Sequence, residues 1–254
     1  MSSSRCEVPP EVLKKVHPDL FQNEILCVGQ REDGRGSTGI RPYSFCIDMF
    51  PDCCGSASVR FGGTCFVAAV KAYVSVAKED TTITGSIGVT VDLPAICGAD
   101  FEDIAGPHSQ TSSSLATLLK DFISSESVID LQQLCIEEGK AGWHLHVSVM
   151  CLEFDGNGLD VALAAAVTAL EAARVETALK YDKRFKTWRL PTIEESKKKK
   201  VVLKARPLTC TFAAVGTGKS RSSRGGGGPG GSNQSDQWRW LADPSAAEEV
   251  CLPA

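Results

Sequence analysis

Apolar and polar positions alternate most clearly between residues 141 and 152. There Trp143, Leu145, Val147, Val149 and Cys151 fall on one side, and His144, His146, Ser148, Met150 and Leu152 on the other. This period of two predicts a strand with one apolar and one mixed face. The run breaks at Asp155-Gly156-Asn157-Gly158, residue types that tolerate positive φ, and resumes as an alanine-rich stretch free of glycine and proline. The pattern predicts a strand, a tight turn and a helix over about residues 159–174. Val161, Leu163, Val167 and Leu170 are interleaved with small alanines, so the helix is apolar over most of its circumference and must be covered on more than one side. The turn's amides and the helix N-terminus would favour an anion, but no cation lies in the turn and Asp160 adds a carboxylate. A helix cap with a solubilising charge is the local reading.

Other segments obey the same logic. Val12, Val16, Leu20, Phe21, Ile25 and Leu26 recur at helical spacing after Pro9-Pro10, with an interruption at His17-Pro18, so residues 1–28 read as an N-terminal helical segment ahead of a domain over 29–254. A polar loop at 30–36 leads to a strand at 44–50. Alternating runs at 57–61 and 65–76, joined by Gly62-Gly63, predict a hairpin, and 86–93 a further strand stopped by Pro94. This first third reads as antiparallel sheet. Leu115, Leu118, Leu119 and Phe122 mark a helix over 109–123. Later extended segments lie at 187–192, 201–204, 208–215 and 238–241. The charged stretch at 194–200, EESKKKK, reads as a solvated loop, residues 243–249 as a turn, and residues 221–235, RSSRGGGGPGGSNQS, as a flexible insertion.

With 254 residues, 43% of them hydrophobic, the chain can bury a sizeable core. A net charge of −4 argues against a strongly basic nucleic-acid arm. No apolar run is long enough for a bilayer and the N-terminus lacks the apolar core of a secretory signal, so the chain reads as soluble and intracellular. The cysteine count is eleven, with no CxxC pair, and Cys46, Cys65, Cys135, Cys151 and Cys210 sit among apolar neighbours. They read as small buried hydrophobes in a reducing compartment, without zinc ligation. His144 and His146 share a strand face but no further His or Cys completes a ligand set, and they read as a satisfied core pair.

Residues 213–220, AAVGTGKS, imitate a phosphate-binding loop. That mechanism needs a helix to start at Lys219, whereas the residues after Ser220 lead into a glycine tract. Nucleotide hydrolysis is not supported.

The order of elements is matched better by a family. The loop from Arg31 to Arg35 (REDGR), the hairpin GSASVRFGGTCFVAAVKAYV, VDLPAIC at 91–97, the block CLEFDGNGLDVALAAAVTAL, and the late RPLTCTFAAV and LADPSAAEE together resemble an RNase PH domain over about residues 8–254. More narrowly they are similar to the non-catalytic ring subunits of the eukaryotic RNA exosome. The resemblance implies an α+β fold of the RNase PH-like type (ribosomal protein S5 domain 2-like), with mixed and antiparallel sheets packed against helices.

Active members of that family cleave RNA from its 3′ end with phosphate as attacking group, which needs arginine for the phosphate and acid near the scissile bond. Their turn resembles Asp-Gly-Gly-Thr-Arg. Here Leu159 stands where the phosphate-binding arginine is expected, and Lys204-Ala205-Arg206-Pro207 replace the late acidic residues. The resemblance therefore implies no catalytic residue, no metal and no cofactor. It implies a scaffold for RNA processing and decay, in a hetero-hexameric ring of RNase PH-like subunits with cap subunits and an associated nuclease, in the nucleus, nucleolus and cytoplasm, with no membrane role. Lys71, Lys78, Lys197, Lys198, Lys199 and Lys200 are RNA-contact candidates, since backbone binding needs only cations. The rival is an active phosphorolytic 3′ exoribonuclease of the same fold. Family members continue past the ADPSAAEE segment into another hairpin and a long helix, so a shortened C-terminus is also expected.

Overall fold

The alternation at 141–152 does form a strand, and in the computed structural model it is an interior strand of the largest sheet. The structure describes residues 9–76, 85–97, 110–177, 179–182, 184, 187–189, 191, 196–216 and 238–250. In chain order they form α1 (Pro10–Val16), α2 (Pro18–Val28), β1 (Tyr43–Ile47), β2 (Gly55–Phe61), β3 (Thr64–Val76) and β4 (Ser86–Asp92). Next come α3 (Gln110–Ile123), β5 (Cys135–Glu137), β6 (Ala141–Glu153), α4 (Gly158–Ala172) and β7 (Arg174–Glu176). Last are β8 (Lys180–Asp182), β9 (Thr187–Arg189), β10 (Lys198–Lys200), β11 (Phe212–Gly216), β12 (Trp238–Ala242) and α5 (Ala246–Val250). The insertion at 221–235 and Lys219 lie outside the described residues.

The chain divides into two compact units. One comprises Pro42–Phe154 and Gly158–Thr209, the other Met1–Arg41, Asp155–Asn157 and Cys210–Ala254. In the first, the sheet runs β1-β2-β3-β6-β4, with β5 also on β6. The hairpin at Gly62-Gly63 is present, but β4 pairs with β6 in parallel, so the expectation of a wholly antiparallel first third is corrected. Parallel neighbours require a crossover, and the stretch between β4 and β6 contains α3.

The apolar face of β6 packs on α4, where Ala162, Ala165, Ala166 and Ala169 are fully buried with Leu163 and Leu170. The small side chains permit close approach. A Cβ on Gly55 of β2 would lie 2.5 Å from the Ala169 carbonyl oxygen, so any side chain there would force the helix off the sheet. On α3, Leu119 and Ile123 are buried, whereas Leu118 and Phe122, expected on the core face, are exposed.

Further corrections concern the other faces. His144 and His146 are not core residues but half-buried on the outer face of the sheet, because the core side of β6 is filled by Trp143, Leu145 and Val147. Asp160 is buried and solubilises nothing. Cys65 and Cys151 are buried as expected, Cys135 is half-buried, and Cys46 and Cys210 are exposed. The lysine run is no loop: Lys198–Lys200 form β10, antiparallel to β7. Of the extended segment at 201–204, only Leu203 is bridged, to Ile129.

In the second unit, α1 and α2 break at His17-Pro18 as expected, and Gly29 ends α2 in the left-handed conformation. Strands β11 and β12 pair antiparallel, and Leu26 of α2 shares a small apolar cluster with Ala213, Val215 and Leu241. The segment after Asp243, expected to turn, forms the short helix α5.

Candidate functional site

The turn Asp155–Asn157 belongs with the second unit, and its geometry is set by residues far away in sequence. Gly156 has φ of 76°, and a Cβ there would come within 2.5 Å of the backbone nitrogen of Ala246. Asn157 also adopts positive φ, at 54°, a conformation that asparagine tolerates better than most residues. Both requirements are visible in the Asp-Gly-Asn-Gly sequence. The reason for them is not.

Around this turn sits a network of arginines and carboxylates. Arg41 is buried and meets Asp243 side-on, Nε donating to Oδ2 at 2.9 Å and Nη2 to Oδ1 at 2.8 Å. The same guanidinium donates to the carbonyl oxygens of Asp155 and Gly156, the latter at 3.3 Å. Asn157 donates its side-chain amide to Asp243 Oδ1 at 2.7 Å, and its backbone N–H to Glu249 Oε1 at 2.7 Å. Burial alone would raise the Asp243 carboxyl, but the hydrogen bonds from Arg41 and Asn157 hold it at about 2. Burial pushes Glu249 up, against the pull of the Asn157 amide and the Arg41 charge.

Arg31 completes the cluster by using every donor it has. Nε and Nη2 grip Glu248 at 2.8 and 2.6 Å, and its remaining bonds reach the carbonyl oxygens of Gly39, Ala242 and Asp243. Arg35 donates to Asp33 and to the Asp243 carboxylate. The arginines of the REDGR loop thus hold the β12–α5 junction. Such bidentate, desolvated pairs are rigid and specific, and here they join the chain's own segments. Among the described residues, Arg35 Nη2 and Asn157 Oδ1 are buried without a partner.

In the other unit, Leu159 occupies the first turn of α4 and packs partly buried against the core. In the segment 204–207, Lys204 pairs with Asp130 at 3.6 Å and Arg206 with Glu171 at 2.6 Å. Neither approximates a carboxylate site.

The structure separates the RNA-contact candidates. Lys71 is exposed on the outer face of β3, opposite His146. Lys197 precedes β10 and Lys198–Lys200 form it, all exposed. Lys78 lies outside the described residues. On β10, Lys200 stands directly opposite the exposed Arg174 of β7, and like charges so placed repel. On the outer sheet face, His144 Nδ1 lies 2.8 Å from Ser86 Oγ and His146 Nε2 3.2 Å from Thr90 Oγ1. Burial, aided by the charges of His146 and Lys120, lowers the His144 pKa.

Sequence reasoning misses Arg41, Asp243, Asn157, Glu248 and Glu249 as a unit. The ADPSAAEE motif is visible, but pairing it with Arg41 needs a contact across 202 positions that no local pattern reveals.

Known proteins share these features of sequence and fold. Residues 39–176 match the model described as the 3′ exoribonuclease family, domain 1. The exosome complex component rrp43 of Schizosaccharomyces pombe is 31% identical over 170 residues, covering 67% of this chain and 62% of that protein. The match thus spans less than two thirds of that relative. The exosome complex component Rrp42 of Methanothermobacter thermautotrophicus is 29% identical over 213 residues, 84% of this chain and 74% of the relative. Among solved structures, a chain of the Archaeoglobus fulgidus exosome with RNA bound to the active site superposes with a TM-score of 0.70 at 24% identity, covering 94% of this chain and 80% of that one. Rice Rrp46 superposes with a TM-score of 0.53 at 18% identity, covering 87% and 77%. These two likenesses concern the fold.

Proposed function

The chain belongs to the 3′ exoribonuclease, or RNase PH, family, and from that premise we propose that it is a non-catalytic structural subunit of an RNA exosome ring. It supports 3′-to-5′ RNA processing and degradation, including rRNA maturation and mRNA decay, by scaffolding and by helping to thread RNA. Its partners are other RNase PH-like subunits in a hetero-hexameric ring, cap subunits, an associated nuclease and RNA, in the nucleus, nucleolus and cytoplasm.

One observation carries the non-catalytic reading. The turn that in active relatives would face phosphate has its Asn157 amide taken by Glu249 and its carbonyl oxygens held by Arg41. An incoming phosphate would meet a carboxylate where it needs a donor. Leu159 two residues later gives no cation to compensate. The exposed lysines of β10 and Lys71 suit a different task, sequence-independent contact with an RNA backbone. Arg174 beside Lys200 adds to that cationic face, which an anionic strand would relieve.

The test combines copurification of the tagged full chain with an RNA degradation assay on the chain alone. Recovery of other RNase PH-like proteins, with no phosphate-dependent release of nucleoside diphosphates, is expected. A lone chain that shortens RNA with phosphate would establish the rival reading, an active phosphorolytic exoribonuclease.

A further inference from the structure

His144 and His146 play no part in the scaffold reading, yet their geometry is specific. As alternate residues of β6 they share the outer face of the sheet, with ring centroids 6.4 Å apart. Neighbouring β4 presents Ser86 opposite His144 and Gly88 opposite His146. One nitrogen of each ring is engaged: His144 Nδ1 with Ser86 Oγ and His146 Nε2 with Thr90 Oγ1. The other nitrogens, His144 Nε2 and His146 Nδ1, turn towards the same place. A Cβ on Gly88 would lie 3.1 Å from the first and 3.4 Å from the second. Because residue 88 is glycine, that place holds no side chain.

We propose that His144 and His146 form a bidentate seat over Gly88 for a divalent transition-metal ion of the imidazole-preferring class, such as Ni2+, Cu2+ or Zn2+. The hydroxyls of Ser86 and Thr90 accept the N–H of the distal nitrogens, which leaves the lone pairs on the two convergent ones. Metal-bound histidines ordinarily hold their second nitrogen in this manner. A metal seated there requires both nitrogens at roughly 2.0–2.1 Å. Among the described residues no third His, Cys, Asp or Glu joins the pair, so water fills the remaining positions. Lys71, opposite His146, and the charge of Lys120 near His144 keep the affinity below that of a closed structural site. The seat stands or falls independently of membership in a ring.

The experiment titrates the full chain with Ni2+ alone, monitoring the ring resonances of isotope-labelled histidine and the heat of binding. The wild type, His144→Gln, His146→Gln and Gly88→Ala are compared, so that binding by cysteines and by the other two histidines is common to all. Ni2+ is expected to broaden the His144 and His146 signals first, and each glutamine variant to weaken that binding roughly tenfold or more. Gly88→Ala is expected to do the same with both imidazoles present and thermal unfolding unchanged, because its methyl fills the seat. Wild-type affinity in either glutamine variant, or in a normally folded Gly88→Ala, would overturn the proposal.

Discussion

Arg41 and Asp243, 202 positions apart, meet side-on at 2.8 and 2.9 Å, and the backbone N–H of Arg41 donates to the same carboxylate at 2.8 Å. Both residues are buried, at 6% and 3% exposure. Removing Asp243 strips buried Arg41 of its side-on partner, and removing Arg41 leaves the buried Asp243 carboxylate to Arg35 and Asn157 alone. Arg41→Ala or Asp243→Ala is therefore expected to cost about 3–5 kcal/mol, measured by urea unfolding. Arg41→Lys should rescue little, since an ammonium cannot reproduce the fork.

Acid unfolding reports the same pair. The Asp243 carboxyl is held at about 2, below the ordinary 3.8, so its contribution to stability is complete above about pH 4 and is lost as the pH falls towards 2. Glu249 runs the other way: its raised carboxyl makes ionisation in the folded state unfavourable, a penalty that disappears as the pH falls. Asp243→Asn should flatten the stability profile between about pH 4 and 2. Glu249→Gln, which keeps an acceptor for the Asn157 amide, should leave that acid limb intact and flatten the profile just above it. Denaturant midpoints across the acid range distinguish the two.

Gly156→Ala tests the turn. Its φ of 76° and the 2.5 Å approach to Ala246 make alanine unfavourable twice over, by strain and by overlap. A loss of at least about 1–3 kcal/mol is expected, visible in thermal unfolding, whereas Gly34→Ala, with nothing within 4 Å, should lose only the strain part.

An arginine introduced at position 159 is not expected to produce phosphorolysis. Leu159→Arg adds the cation but leaves Glu249 on the Asn157 amide, so phosphate-dependent release of nucleoside diphosphates is expected to stay at background. Detectable phosphorolysis by this variant would mean that the turn opens to phosphate.

Replacing Lys198, Lys199 and Lys200 by glutamine should weaken RNA binding without sequence preference. Each lost phosphate contact lowers the slope of log affinity against log salt by about 0.7 for single strands, measurable by fluorescence anisotropy at several salt concentrations. An unchanged slope would confine these lysines to solubility.

The elements are readable where one local pattern decides them. The β2–β3 hairpin announces itself through Gly62-Gly63, and β6 and α4 through their periods. Features that depend on partners distant in sequence are not. The lysines of β10 read as a loop because their strand character comes from pairing with β7, not from their own propensity. Leu118 and Phe122 share helical spacing with buried Leu119, and only the position of α3 against β4 decides which face is covered. The two histidines lie outside the core, on the face that the alternation of β6 itself sets opposite to Trp143 and Leu145. The Asp-Gly-Asn-Gly turn is legible in the sequence, but the carboxylate that bonds its Asn157 backbone N–H comes from residue 249 and carries no local signal.

The order of synthesis gives the Arg41–Asp243 lock a consequence of its own. Chains emerge from the ribosome N-terminus first, and the unit of residues 42–154 and 158–209 has all its residues once Thr209 is out. Arg31 and Arg41 emerge at the start yet must wait for Glu248 and Asp243, their buried partners. Through most of translation the nascent protein carries these two arginines without those carboxylates, an interval that ends only when α5 arrives.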